Sequence, residues 1–368
     1  MKTIAHALLT PALALGLIAN AALMTVAHAA TPSELAFRYA PVHYQDTDSS
    51  DYASEYLTAF DYDGDWIGTN NWDNRGNGLW PATVYYSVVE SCTHHFITYA
   101  FNHPRDWSDT IFDPEHENDL EGAIMAVRKD GSPHGKLEGM ITVFHTSFYS
   151  YAPAGSPFVS GAQSIDGSVS LQAHNGINRP KTAQEAKGHG LKAWPYISSF
   201  TGTSRQDGIV YYPTQGTAEV PSSGNDRSVL YRLVDINATN GMWAAALNDA
   251  ALPAGQGPTF ASWGSFKGDE SGGCGAGWKT CSTNSANAPW GWDDGNDGAT
   301  HRGEFALDPA HLFASYFGGL GNFSQKYLNN PFIAGLHNRG YTTGNAPAGF
   351  SSQIDLNGLY GKLTASCN

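Results

Sequence analysis

Charge is scarce in this chain. Lys and Arg number 20 and Asp and Glu 34 among 368 residues, 15% in all, where an ordinary soluble domain carries about 25%. A coiled coil or long helical bundle, built on Ala, Glu, Lys and Leu, is excluded by that shortage. Basic residues are fewest, and a net charge of −14 excludes a protein that wraps nucleic acid phosphates. Hydrophobicity is not scarce, which excludes a disordered chain. Beyond the first 30 residues no run is apolar enough to cross a bilayer. What is abundant is glycine, at 41 residues, and aromatic side chains, at 12%. That balance fits a β-rich extracellular protein, and its 34 carboxylates are a supply of cation ligands.

The first residues have the pattern of an export signal. Lys2 is their only charge, an apolar run extends from Leu8 to Val26, and Ala27-His28-Ala29 has the small-x-small form cut by signal peptidase. Residues 1–29 are therefore expected to be a secretory signal, and 30–368 a single β-sandwich-like domain with large carboxyl-terminal loop insertions. The mature protein is expected to be secreted and monomeric, with no transmembrane segment.

Cysteine is also sparse. Cys92, Cys274, Cys281 and Cys367 form an even set, which in an exported chain implies two disulfides out of three possible pairings. Cys274 and Cys281 close a short Gly-rich loop and are expected to pair locally. Cys92 with Cys367 then ties the carboxyl terminus to an early strand.

Runs of β-branched and aromatic residues between Gly, Asp and Asn turns predict strands over Thr83–Val89, His94–Phe101, Gly122–Arg128, Met140–Tyr149, Ile209–Tyr212 and Ser228–Ile236. Helix signals are few. Pro32 after Thr31 predicts a helix through Tyr39. Thr182 predicts another, stopped by Gly188, and Asp308-Pro309 a third, through Phe317. Tyr149–Lys181 and Leu252–Arg302 read as long irregular stretches. The fold class expected is mainly β, a β-sandwich with long loops and a few short helices.

The stretch from His94 to Lys129, HHFITYAFNHPRDWSDTIFDPEHENDLEGAIMAVRK, carries the most chemistry. A strand runs into a Pro-containing turn that bears Asp106, and a second strand starts near His116. Side chains alternate along a strand, so Asp119 and Glu121 share one face while Leu120 and Gly122 share the other. His116 at the strand's mouth can bend to the acidic face, and a hairpin returns Asp106 beside it. Carboxylates this close need a proton or a cation between them. Oxygen-rich donors with one imidazole suit Ca²⁺, Mg²⁺ or Mn²⁺ better than Zn²⁺.

The run ITYAFNHPRDW…EHENDLEGAIMAV resembles the central region of the necrosis- and ethylene-inducing-peptide-like proteins. There an aromatic-Pro-Lys-Asp turn precedes a His-x-x-Asp-Trp-Glu signature. It is similar also to the His-Glu-Gly-Asp-Trp-Glu segment of related vacuolar-sorting-associated families, whose opening resembles Leu35–Asp46, LAFRYAPVHYQD. In this chain Glu115 stands for the signature's leading Gly, Glu117-Asn118 for its middle pair and Leu120 for its Trp. The resemblance implies a β-sandwich toxin, a virulence-type cytolysin that binds sphingolipid head groups. It also implies a divalent cation, Ca²⁺ or Mg²⁺, held by Asp106, His116, Asp119 and Glu121. Both families place a later His in a turn near the metal end, which here makes His189, in Gly188-His189-Gly190, a further site candidate.

His94, His95, His103 and His145 are each expected to be packed histidines. Asp61, Asp63 and Asp65 alternate as in a calcium loop. Gly64 is misplaced for an EF-hand, however, and Trp72 occupies the position of its bidentate Glu, so a tight turn is expected. The acidic loop Asp293–Asp297 beside His301–Glu304 is read as a second cation loop or a salt-bridged lid. Trp66, Trp72, Trp107, Trp290 and Trp292 are candidates for exposed rings that stack on sugars. No nucleophile elbow, P-loop or HExxH motif is present. The function expected is cation-dependent binding of a glycan or lipid head group. The alternative is a metal-dependent extracellular hydrolase in which Glu121 or His116 moves the proton of a metal-activated water.

Overall fold

The computed structural model describes residues 29–47, 52–74, 80–106, 116–196, 208–248, 265–266, 286–296, 302–346 and 354–367. Residues 1–28 of the expected signal, Trp107, Cys274, Cys281, Asp297 and His301 lie outside the described residues. In chain order the strands are β1 (Val42–Gln45), β2 (Thr83–Ser91), β3 (His94–Asp106), β4 (His116–Arg128), β5 (Lys136–Phe144), β6 (Ser147–Pro153), β7 (Val159–Ser160), β8 (Gly167–Val169) and β9 (Leu171–His174). They continue as β10 (Ile177–Gln184), β11 (Leu191–Ala193), β12 (Ile209–Pro213), β13 (Val229–Asp235), β14 (Ser265–Phe266), β15 (Ala286–Asn287), β16 (Phe317–Gly318) and β17 (Tyr327–Asn329). The helices are α1 (Pro32–Tyr39), α2 (Asn71–Asn74), α3 (Met242–Leu247), α4 (Glu304–Leu307), α5 (Pro309–Tyr316), α6 (Pro331–Asn338) and α7 (Leu356–Tyr360). The chain is mostly β, as expected.

One large sheet organises the chain, in the order β11-β10-β1-β12-β13-β2-β3-β4-β5-β6-β8. Its centre is the long antiparallel ladder of β3 and β4, which runs from His94 opposite Arg128 to Asp106 opposite His116. The sheet curls until its two ends meet. Lys192 of β11 lies 4.7 Å from the Phe144 ring at the end of β5 and 3.8 Å from the Tyr149 ring of β6. The result is close to a barrel.

Alternation along β3 and β4 feeds two separate cores. Ile97, Tyr99, Phe101, Ala123, Met125 and Val127 point inward, against Leu191, Ile209, Tyr211 and Tyr231. Phe96, Ala100, Leu120, Ile124 and Ala126 point outward, beneath Trp243, Trp290, Phe305, Phe313 and Phe332 of the carboxyl-terminal part. A Cβ at Gly122 would stand 2.3 Å from Trp292, so only glycine admits that ring against β4.

Helix α1 has the predicted bounds, with Thr31 and Glu34 forming a capping box. It closes one end of the barrel, where Tyr39 donates to the carbonyl of Gly135 at 2.8 Å in the β4–β5 turn. The ends of β1, β3, β5 and β10 and the starts of β4, β6 and β11 gather at the opposite end.

Several expectations are corrected. Residues 182–188 do not form a helix. Thr182 to Gln184 belong to β10, parallel to β1 and antiparallel to β11, because pairing on both sides outweighs a local cap signal. Met140–Tyr149 is two strands, since His145 takes φ 55° and turns the chain. The stretch 149–181 is not irregular but carries β6 to β10. Trp72, Trp290 and Trp292 are buried and Trp66 packs against the outer core, so none of these is an open stacking platform. Cys92 and Cys367 are joined as expected. Asp61–Asp65 is a turn, closed by Gly64 N–H donating to the Asp61 carbonyl at 3.0 Å. Asp294 accepts from the Phe148 N–H at 3.2 Å and from the Tyr316 hydroxyl. Among the described residues no helix is long and apolar enough to cross a membrane.

Candidate cation and ligand site

Strict alternation would place His116 on the outer face with Leu120. The structure breaks the alternation once, at Asn118, whose φ is 59°. Asn118 donates to the Gly68 carbonyl at 2.9 Å and accepts from Asn71 at 2.6 Å. Glu117 accepts from the Trp72 N–H on that same outer side. The inversion returns His116 to the face of Asp119 and Glu121, where its Nε2 lies 3.3 Å from Asp106 Oδ2. Burial works against a charge on His116, but Asp106 and Asp119 outweigh it and raise the ring's pKa. The structure thus brings Asp106, His116, Asp119 and Glu121 to one end of the sheet.

His189 joins them from the loop between β10 and β11. Its Nδ1 lies 2.9 Å from Asp119 Oδ2 and its Nε2 lies 3.0 Å from Glu55 Oε2. Burial opposes its charge, but the two carboxylates outweigh burial and hold the pKa up at about 10. The His103 ring stacks on it at 3.9 Å, nearly parallel. Burial, and then the charge on His189, keep His103 neutral.

Glu121 is the least exposed of Asp106, His116, Asp119 and Glu121. Its Oε1 accepts from the His145 backbone N–H at 2.9 Å, and its Oε2 is buried with no hydrogen-bond partner. Burial, then the nearby Asp119, raise its pKa well above the carboxylate range. His145 reaches across to Glu185, with Nε2 3.0 Å from Oε1. Gly188 permits this approach, because a Cβ there would stand 2.8 Å from the His145 ring.

Backbone strain gathers here as well. Among the described residues five non-glycine positions have positive φ, and four of them, Asn118, His145, Lys187 and His189, belong to this end. Such conformations persist only where surrounding contacts enforce them, and they cluster at functional sites.

Among the described residues no three His, Cys, Asp or Glu side chains enclose a common point as they stand; each carboxylate is turned toward a histidine or a backbone N–H. The donor set nonetheless fits a hard cation. Three carboxylates and an imidazole share one end, and Glu121 Oε2 is a buried acceptor with nothing to accept from.

Sequence reasoning missed Glu55, His103, His145, Gln184 and Glu185. The polar run His145-Thr146-Ser147 between two apolar runs marks a turn, and that signal was available for His145. Glu55 lies in a Tyr-rich segment without period, and nothing local ties it to a residue 134 positions away.

No family model matches the chain, and no curated protein matches it. Solved structures resemble it in fold. They include the Necrosis and Ethylene inducing Protein 2 from the causal agent of cocoa's Witches Broom disease, 13% identical over 58% of this chain and 78% of that chain, with a TM-score of 0.28. The non-toxic HaNLP3 protein is 16% identical over 56% of this chain and 76% of that chain, with a TM-score of 0.25. NLPPya in complex with mannosamine is 13% identical over 55% of this chain and 72% of that chain, with a TM-score of 0.25. At such identities the likeness is one of fold alone.

Proposed function

We propose that the protein is a secreted, cytolysin-like binding protein whose ligand site depends on a divalent cation, Ca²⁺ or Mg²⁺. Asp106, His116, Asp119 and Glu121 hold the ion, and residues 1–29 serve as the export signal. The observation that carries the reading is Glu121 Oε2, a buried carboxylate oxygen without a hydrogen bond beside Asp119. A carboxylate so placed gains a partner when a cation binds, and the crowding of like charge is relieved in the same step. The resemblance of the 106–121 segment to the cation-binding signature supports the same assignment.

Bound there, the ion supplies positive charge and open coordination positions to the hydroxyls of a glycan or to a lipid head group. The protein's own residues set the geometry. Asp119 is fixed by His189, Glu121 by the His145 backbone, and Asp106 by His116. The test is binding of the mature protein to a glycan panel and to glycolipid vesicles, with Ca²⁺ or Mg²⁺ and again with chelator. Binding that needs the cation supports the reading, and binding unaffected by chelator refutes it.

A further inference from the structure

We infer that Glu55 is a positioning residue, which fixes His189 and through it sets the Asp119 carboxylate at the cation site. The inference rests on the reading of that site as cation-binding.

Glu55 ends the 3₁₀ turn Tyr52–Glu55 and has no solvent exposure. A buried carboxylate must be compensated by donors, and Glu55 draws them from the loop that carries His189. The Lys187 N–H donates to both of its oxygens, at 3.1 and 3.2 Å. His189 Nε2 approaches Oε2 at 3.0 Å, and Gln45 Nε2 approaches the same oxygen at 3.5 Å. Both strained residues of the loop, Lys187 and His189, are therefore anchored on this one side chain.

The orientation of His189 is then fully determined. Each ring nitrogen faces a carboxylate oxygen, Asp119 on one side and Glu55 on the other, so both nitrogens donate. Stacking on His103 at an interplanar angle of 3° fixes the ring plane. Gln184 Nε2 donates to the His189 carbonyl at 2.6 Å and holds the backbone. With the ring unable to turn, Asp119 Oδ2 is held toward Nδ1. An outer carboxylate that orients a ligand through an intervening group typically changes metal affinity by about 10–100-fold when removed.

The test compares wild type, Glu55→Gln, His189→Gln and the double variant, all in the mature protein, by calorimetric titration with Ca²⁺ and with Mg²⁺ after thermal melting has shown each to be folded. Glu55→Gln is isosteric but turns an amide toward a donating nitrogen. It is expected to weaken binding about 10–100-fold, with the double variant no weaker than the weaker single one, because the two act in series. Nitrogen-15 spectra of the His189 ring should show two protonated nitrogens in wild type and a changed pattern in Glu55→Gln, which a merely structural role would not produce. Wild-type affinity in Glu55→Gln, whatever its melting temperature, overturns the inference alone, as do fully additive losses. Absence of ion binding in wild type overturns the reading of the site and the inference with it. If Glu55→Gln does not fold, Glu55→Asp keeps the charge one methylene short, and unchanged affinity in that variant is equally decisive.

Discussion

His116 and Asp106 stand directly opposite each other across β3 and β4, and left-handed backbone at Asn118, two residues on from His116, turns that pair to the face of Asp119. The φ of 59° at Asn118 inverts the strand's alternation, and His116 Nε2 lies 3.3 Å from Asp106 Oδ2. Valine, branched at Cβ, is strained at that angle by roughly 1–3 kcal/mol, and it forfeits two hydrogen bonds worth about 1 kcal/mol each. Asn118→Val is therefore expected to lose roughly 3–5 kcal/mol in denaturant titrations and to weaken cation binding. Asn118→Gly keeps the backbone and loses only the hydrogen bonds, so it should fall between wild type and Asn118→Val. Equal stability of the two variants would show that the backbone conformation is not what matters.

Of the tryptophans proposed as ligand platforms, Trp72, Trp290 and Trp292 act as core. Trp290 has no exposure and meets Trp243 at 4.8 Å between ring centroids. Trp290→Ala is expected to cost about 3–5 kcal/mol by chemical denaturation. A variant of unchanged stability that lost ligand binding would return this residue to the surface role.

Acid should destabilise the fold before the carboxylates as a group titrate. Burial lowers the pKa of His43 to about 3 and that of His94 to about 4, and drives His103 well below 6.5. In the unfolded chain these rings take protons near pH 6.5, so their contribution is present above that pH and is lost as pH falls below it. Each adds a slope of up to about 1.4 kcal/mol per pH unit. Glu121 has the opposite sign, since its raised pKa keeps a proton in the folded state, and near pH 7 so do His116, His145, His189 and His311, whose pKa values are raised. Below about pH 6 those four rings are protonated folded and unfolded alike, and the lowered rings, His95 and His174 among them, set the slope. His189, raised to about 10, is charged in both states only below about pH 6, and its contribution is lost as pH rises from 6.5 through 10. Urea titrations at pH 6, 5.5 and 5 should show falling stability, and His94→Gln should flatten the trend. Stability that rises on acidification would contradict the assignment.

Asp119→Asn separates a binder from a hydrolase. In the binding account, cation affinity and head-group affinity fall together, by at least about tenfold, since the ligand coordinates through the ion. A variant that kept ligand affinity but lost turnover of a glycan, lipid or peptide substrate would establish the hydrolytic alternative.

Parts of this molecule were legible in the sequence, and the reasons differ from residue to residue. Helix α1 was legible to the residue because Thr31, Pro32 and Glu34 state the cap locally. The β3–β4 ladder and the shared face of Asp119 and Glu121 follow from period-two alternation. Asn118 was not legible, because its conformation depends on the 68–72 segment across the strand. Thr182 was misread because its strand pairing is made with residues as distant as Val42–Gln45 and Leu191–Ala193. Glu55 carries no local pattern at all, although it anchors the loop that brings His189 to Asp119. Local chemistry thus singled out the proposed ligands, and tertiary pairing determined what holds them.

The central claim is that a divalent cation binds at Glu121. The most direct measurement is calorimetric titration of Ca²⁺ and Mg²⁺ into chelator-treated mature protein, wild type beside Glu121→Gln. The account predicts saturable binding of a cation by wild type, a melting temperature that falls on chelation, and affinity at least about tenfold weaker in Glu121→Gln. Folded wild-type protein that binds neither ion, or a Glu121→Gln variant that binds as wild type does, would contradict it.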